Sequence, residues 1–90
     1  MIGHVMRDSL RGLLHAEWCE TNTVAVRVYR LEGCRYTNSA TRKALHSLTR
    51  RGYVRSRLLN GTSSWPGYYE WQVTEAGRAW LKENAEVLRA

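Results

Sequence analysis

The basic side chains are the residues of this sequence best suited to chemistry, because they are concentrated in one third of the chain. Residues 27–57 contain nine basic residues and one acidic residue, Glu32, so the segment carries a formal charge of +8, whereas residues 1–26 and 58–90 each carry −1. Such a concentration of charge indicates a surface that faces a polyanion, because charge needed only for solubility could be spread along the chain. Nucleic acid is therefore the first expected partner and an anionic membrane surface the second. The nine basic residues are Arg27, Arg30, Arg35, Arg42, Lys43, Arg50, Arg51, Arg55 and Arg57.

The other reactive side chains form no recognisable catalytic or metal-binding pattern. The eight carboxylates show no close acid/base spacing, and the sequence has no glycine-rich phosphate loop and no nucleophile elbow. We therefore expect a protein that is not an enzyme and has no cofactor. His15 and Cys19 are four residues apart and could bind one ion from a helix, but structural zinc sites usually show paired short spacings. No metal site is predicted.

Length and composition predict a single folded domain, residues 1–90, in the cytoplasm. Ninety residues, 43% hydrophobic and 24% charged, can fill one modest core. The first residues lack the order of a signal peptide, and no apolar run approaches the roughly 20 residues that span a bilayer. Two cysteines, Cys19 and Cys34, are too few for a disulfide scaffold, so reduced thiols are expected.

A first helix is predicted over residues 5–19 from the spacing of its apolar residues. Asp8 and Ser9 are expected near its start, where polar acceptors satisfy free backbone amides. Spacings of three, four and eight place five apolar residues on one face, which is typical of a helix that packs on a core. These residues are Met6, Leu10, Leu13, Leu14 and Trp18.

Residues 23–33 fit two secondary structures. Their valines alternate as in a strand but also follow helical spacing, and valine itself favours the strand. Thr23 as N-cap, Arg30 in the last turn and Gly33 just past the end favour a helix. We predict the helix, and a short strand from Val24 to Val26 is the alternative.

Residues 38–51 form the clearest predicted helix. Thr37 or Asn38 can cap its start and Gly52 follows its end. Four residues form a stripe that must face the core, namely Thr41, Ala44, Leu45 and Leu48. The opposite face is polar and can form hydrogen bonds, or it can be an ordinary solvated face. Its residues are Ser39, Arg42, Lys43 and His46.

Residues 53–73 predict a β-hairpin, and a last helix is predicted over residues 74–89. Arg55 and Arg57 alternate with Val54, Ser56 and Leu58 in the first strand, so the arginines lie on one side of the sheet. The second strand places Tyr69, Trp71 and Val73 on one side, and an eight-residue tip over 60–67 joins the two strands. Thr74 is the predicted cap of the last helix. Its apolar residues are Ala76, Trp80, Leu81, Val87 and Leu88.

Three helices, a basic hairpin and a fourth helix are the elements of a winged helix-turn-helix, an α+β fold. In this fold one helix fits the major groove, and the hairpin, called the wing, reaches the neighbouring backbone or minor groove. SATRKALHSLTRRGYV, residues 39–54, resembles the recognition helix and strand entry of MarR-type and PadR-type regulators. YEWQVTEAGRAWL, residues 69–81, is similar to their second wing strand and following helix. The resemblance covers about residues 20–81.

The resemblance implies sequence-specific binding of double-stranded DNA by a small, repressor-like transcriptional regulator of bacterial, phage or mobile-element origin, associated with the nucleoid. Arg42 or Lys43 can donate to guanine O6 and N7, and the helix N-terminus suits phosphates. The implied contacts of the recognition helix are Asn38, Ser39, Arg42, Lys43 and His46. The implied phosphate and wing contacts are Thr37, Arg50, Arg51, Arg55, Arg57, Asn60, Thr62, Ser63 and Trp65.

Two questions about partners stay open at this point. Such regulators usually bind two half-sites as homodimers, and the candidate dimer residues are Trp80, Leu81, Val87 and Leu88, which could instead pack on the first helix of their own chain. A winged helix can also be a protein–protein interaction module without DNA readout, and aromatic residues suit such a surface. Trp65 can fold on its own hairpin, or project toward a minor groove or a protein partner.

Overall fold

The chain forms four helices and one three-stranded sheet. The computed structural model describes residues 3–14, 17–59, 61 and 67–84. In chain order the elements are α1 (His4–Gly12), β1 (Cys19–Glu20), α2 (Thr21–Glu32), α3 (Asn38–Arg50), β2 (Val54–Leu59), β3 (Tyr68–Val73) and α4 (Glu75–Glu83). The sheet is antiparallel in the order β1-β3-β2. The predicted α+β class is confirmed, and β1 is an element that the sequence analysis did not predict.

The core lies between the helices α1, α2 and α3 and one face of the sheet. Trp71 of β3 is fully buried there, and its indole Nε1 donates to the Thr21 hydroxyl at 2.9 Å. This bond joins β3 to the start of α2 and satisfies the one polar atom of the indole. The buried apolar residues are Leu10, Leu13, Cys19, Val24, Val28, Leu45, Leu48, Val54, Trp71, Val73 and Leu81.

The first helix is shorter than predicted. It ends at Gly12, and Cys19 lies in β1, so the proposed helical spacing of His15 and Cys19 is wrong. Asp8 and Ser9 lie buried within the helix rather than at its start, where Gly3 is the N-cap. The apolar spacing continues to Trp18, but the helix does not, and Cys19 and Glu20 instead pair with β3.

The second and third helices begin and end at identifiable signals. Residues 23–33, for which a strand was the alternative, lie in α2 apart from Gly33, the left-handed C-cap with φ of 71°. The N-cap of α2 is Glu20 and not Thr23. Thr37 caps α3, since its hydroxyl accepts from the Ala40 amide at 3.0 Å. The stripe of Thr41, Ala44, Leu45 and Leu48 is buried.

The hairpin and α4 meet at a tight junction. Val54 pairs with Val73, and both are buried, whereas Leu58 near the tip is 55% exposed. Thr74 caps α4 by accepting from the Gly77 amide at 3.1 Å. A Cβ atom at Gly77 would overlap the carbonyl oxygen of Tyr53, so only glycine permits this approach.

The last helix is described from Glu75 to Glu83, with Asn84 at the C-cap. The predicted continuation to residue 89 lies outside the described residues. Ala76 is exposed, although it was placed on the apolar face. Within the described ranges, no helix has the length and apolar character that crossing a membrane requires.

Candidate nucleic-acid interface

The start of α3 is held in place by a buried hydrogen bond to α1. Tyr36, two residues before the helix, donates from its hydroxyl to Asp8 Oδ2 at 2.9 Å, and Asp8 is only 4% exposed. Burial, followed by the hydrogen bond to Asp8 and the charge of Asp8, raises the pKa of Tyr36 from 10.0 to about 12. The connection between α2 and α3 is therefore anchored to the first helix next to the N-terminus of α3.

The outward face of α3 carries unpaired positive charge. Arg42 and Lys43 are exposed, and neither forms an ion pair with a carboxylate in the described part of the chain. Asn38 and Ser39 are exposed in the first turn, where backbone amides are free to bind an anion. Because the opposite face is buried, α3 presents a rigid polar row to solvent.

His46 lies at the edge of this row and is packed against the sheet. Its ring is half-buried and makes edge-on contacts with Tyr69 and Trp71, at centroid distances of 4.9 and 4.8 Å. Since the imidazole contacts β3, its freedom to reach a groove is smaller than that of Arg42. At the end of α3, Arg50 and Arg51 are exposed, and Arg50 Nη2 donates to a serine hydroxyl, that of Ser47, at 3.2 Å.

A groove of about 510 Å³ separates α3 from the hairpin. Asn38 and Arg42 border it on the helix side, and Leu58 and Tyr68 border it on the strand side. Glu20 and Asn22, at the N-terminus of α2, also border it. The N-terminal ends of two helices and Arg42 thus open onto the same groove and favour negative charge there, whereas the carboxylate of Glu20 opposes it.

The hairpin arginines point to the outer face of the sheet, where each has a partner. Arg57 Nη2 lies 2.6 Å from Glu70 Oε1, and Arg55 Nε donates to Gln72 Oε1 at 2.5 Å. Both guanidinium groups also lie over the indole of Trp18, with the Cζ atoms 4.3 Å (Arg57) and 5.2 Å (Arg55) from its centre. Trp18 was predicted on the apolar face of the first helix, and this prediction is wrong. Residues 18–20 carry no local signal for the observed placement, because it depends on the pairing of β1 with β3.

Comparisons with solved structures decide the fold. No protein-family model and no curated protein matches the sequence. A candidate transcriptional regulator from Thermoplasma acidophilum matches with a TM-score of 0.74 at 17% identity, over 97% of this chain and 82% of that one. A PadR family transcription regulator from Clostridium difficile matches with a TM-score of 0.70 at 18% identity, over 97% of this chain and 88% of that one.

The chain is a winged helix-turn-helix. Its hairpin β2–β3 is the wing, and the resemblance to PadR-type regulators is confirmed for the fold. Bacillus subtilis PadR, in a crystal structure with operator DNA, matches with a TM-score of 0.67 at 17% identity, over 88% of this chain and 46% of that one. The other matched proteins are described as transcription regulators or transcription factors. None of the matched proteins named here is described as an enzyme.

Several predicted contacts of the winged helix fall outside the described residues. They are Asn60, Thr62, Ser63 and Trp65 at the wing tip, and Val87 and Leu88 after α4. Of the other two dimer candidates, Leu81 is buried in the core of its own chain, and Trp80 is half-buried with its ring 6.2 Å from that of Tyr53. In the described part of α4, Trp80 is therefore more accessible than Leu81.

The winged helix has no cluster suited to a metal ion within the residues that the structure describes. Cys19 is a buried free thiol whose Sγ accepts from Arg27 Nη1 at 3.0 Å, and Cys34 is an exposed free thiol. The two thiols therefore differ in access to solvent, and Cys34 precedes the start of α3 by only four residues.

Proposed function

We propose that this protein is a sequence-specific double-stranded DNA-binding transcriptional regulator, with α3 in the major groove and β2–β3 as the wing. The observation that carries the proposal is the outward face of α3, where Arg42 and Lys43 are exposed and form no ion pair with any described residue, while the opposite face is buried. The similar fold of Bacillus subtilis PadR, crystallised with operator DNA, supports this placement.

The dimensions of α3 suit a major groove. Thirteen residues make a helix of about 20 Å, and a helix fits the roughly 12 Å width of the groove. Arg42 or Lys43 would donate to guanine O6 and N7, while Thr37, Asn38 and Ser39 would lie at phosphates near the helix N-terminus. His46, held by its ring contacts, would act at the edge of this footprint. Arg50 and Arg51 would contact phosphates beyond the C-terminal end.

We further propose that the regulator is repressor-like and acts as a homodimer on two half-sites, in the nucleoid of a bacterium or from a phage or mobile element. Occupation of an operator is enough to block transcription, so a DNA-binding fold alone can repress. Similar folds from Clostridium difficile and Bacillus subtilis support a bacterial setting. Trp80 supplies exposed aromatic area for a dimer contact, and Val87 and Leu88 extend the same proposal past the described helix.

The test is selection of preferred duplexes from random DNA, repeated with Arg42→Ala and Lys43→Ala. We expect each variant to relax preference at one or two base pairs, because a bidentate contact contributes about 1–3 kcal/mol of discrimination. Arg78→Ala, which removes an exposed arginine from α4, is the matched control and should leave the preference unchanged. An unchanged preference in both α3 variants would refute the assignment of α3 as the recognition helix.

A second candidate function is a protein-interaction module, which is favoured by the outer surface of α2. Val26 and Tyr29 are three positions apart on this helix, are 41% and 46% exposed, and border the same groove, so they form a small exposed apolar patch. Salt dependence separates the two functions. Duplex affinity that falls steeply as salt rises indicates release of several counterions and supports DNA binding, whereas absent or salt-insensitive binding supports the protein module.

A further inference from the structure

We propose that Trp18 is a positioning residue for the wing: its indole holds the guanidinium groups of Arg55 and Arg57 side by side, ready for phosphates of duplex DNA. The proposal rests on the proposed function, because it requires the wing arginines to contact DNA. It assigns a role to a residue outside both α3 and the wing. It explains why a tryptophan directly before β1 lies outside the buried core.

The strand register brings the side chains of Trp18, Arg55 and Arg57 to the same face of the sheet. Cys19 pairs with Trp71 in β3, so one residue further along the same register Trp18 lies beside Gln72. Gln72 in turn pairs with Arg55 of β2. A tryptophan, a glutamine and an arginine therefore form one row across the three strands. Side chains two residues apart share a face, which places Arg57 next to this row.

The side-chain contacts show that the indole of Trp18 contacts both arginines. The Arg57 guanidinium lies 4.3 Å from the indole centre, and its Nε donates to Glu70 Oε1 at 2.8 Å. The Arg55 guanidinium lies 5.2 Å from the same indole and donates to Gln72. Both distances are within the range of a cation–π contact. Trp18 is half-buried and lies outside the buried core, and its indole contacts both arginines.

This arrangement orders the arginines before DNA arrives. A free arginine loses several rotatable bonds when it binds a phosphate, and this loss opposes binding. Contact with the indole removes part of that loss in advance and leaves guanidinium N–H groups at the outer edge available, since a cation–π contact uses the face of the group. The side chain of Arg57 is still 48% exposed, so a phosphate oxygen can reach it.

The test measures binding of a fluorescein-labelled duplex of mixed sequence, which reports phosphate contacts. We expect Trp18→Leu to weaken binding about three- to tenfold, the effect of ordering one or two long side chains at the moment of binding. Trp18→Phe keeps an aromatic face and should restore affinity to within about twofold. In a background with Arg55→Ala and Arg57→Ala, Trp18→Leu should have no further effect.

A purely structural role for Trp18 predicts different results. Trp18→Leu would then weaken binding equally with and without the two arginines, and that outcome overturns the proposal, as does unchanged or tighter binding by Trp18→Leu. Nuclear magnetic resonance of the free protein adds an independent readout, since the Nε–Hε signals of Arg55 and Arg57 should move when the indole is removed. Signals that stay in place also overturn it. If Trp18→Leu does not fold, Trp18→Gln is used in the same comparison.

The outcomes also separate this proposal from the proposed function. Wild-type protein that binds the duplex and loses affinity with Arg42→Ala, but does not respond to Trp18→Leu, overturns the role of Trp18 alone. Wild-type protein that binds no duplex overturns both proposals. A response to Trp18→Leu that disappears without the two wing arginines supports both.

Discussion

The hydrogen bond between Tyr36 and Asp8 gives the sharpest stability prediction. Tyr36→Phe removes the hydroxyl that donates to Asp8 at 2.9 Å and leaves a carboxylate that is 4% exposed, with Arg7 Nε at 3.4 Å as its other described partner. Hydrogen bonds to charged groups contribute about 1.5–3 kcal/mol. We therefore expect the free energy of unfolding at neutral pH to fall by about 2 kcal/mol, and the Tm to fall by about 10 °C in a domain of this size.

The same bond predicts how stability depends on alkaline pH. The pKa of Tyr36 is raised from 10.0 to about 12 in the folded protein, so the neutral phenol is favoured by folding. A raised folded pKa stabilises the protein fully below the unfolded pKa, and the stabilisation is lost as the pH rises from 10 to 12. Because Tyr36 is partly exposed to solvent, we expect the loss of stability over this range to be about 1–2 kcal/mol.

The assay is urea unfolding followed by circular dichroism at a series of pH values. Wild type should lose more stability than Tyr36→Phe between pH 10 and 12, and the difference between the two curves isolates this tyrosine from other titrating groups. Tyr68→Phe is the matched control, because Tyr68 is 39% exposed on β3. Parallel curves for wild type and Tyr36→Phe, or an equal effect of Tyr68→Phe, would refute the reasoning.

Three further substitutions test other contacts. Ser9→Ala should raise the free energy of unfolding by about 1 kcal/mol, because the buried Ser9 hydroxyl has no hydrogen-bond partner among the described residues; a lower urea midpoint would contradict this. Gly77→Ala should lower the free energy of unfolding by about 2–3 kcal/mol, because the added methyl group overlaps the Tyr53 carbonyl. A variant as stable as wild type would show that the junction between the hairpin and α4 can widen freely. Glu70→Gln removes the counter-charge of Arg57 and should tighten binding to a mixed-sequence duplex about two- to fivefold at low salt, with a salt slope steeper by about one; an unchanged slope would exclude Arg57 as a phosphate contact.

Local signals in the sequence were sufficient for the elements that carry their own caps and periodicity. Thr37 and Thr74 cap the helices that follow them, and Gly33 ends α2, because these interactions involve residues only a few positions apart. The alternation around Trp71 likewise identified the core face of β3. These elements position the outward face of α3, so the candidate interface on that helix followed from the sequence.

Features that depend on distant parts of the chain were not predictable in this way. The two-residue strand β1 exists because it pairs with β3, about 50 residues further along the chain, and its own residues give no strong local preference. The predicted first helix was therefore extended along the apolar pattern to include Trp18. The ring contacts of His46 and the indole over Arg57 have the same cause, since each joins elements that only the folded sheet brings together.

The close approach of Gly77 to Tyr53 has a consequence for operator architecture. Because α4 cannot shift against the base of the wing without separating these two residues, we expect α4 and the wing to move together. In a dimer formed through α4, the spacing of the two recognition helices would then depend on where the α4 helices cross, and not on a flexible linker. In such a dimer, the contact between Gly77 and Tyr53 would help to set the distance between the two half-sites. A larger side chain at position 77 would then change the preferred number of base pairs between them.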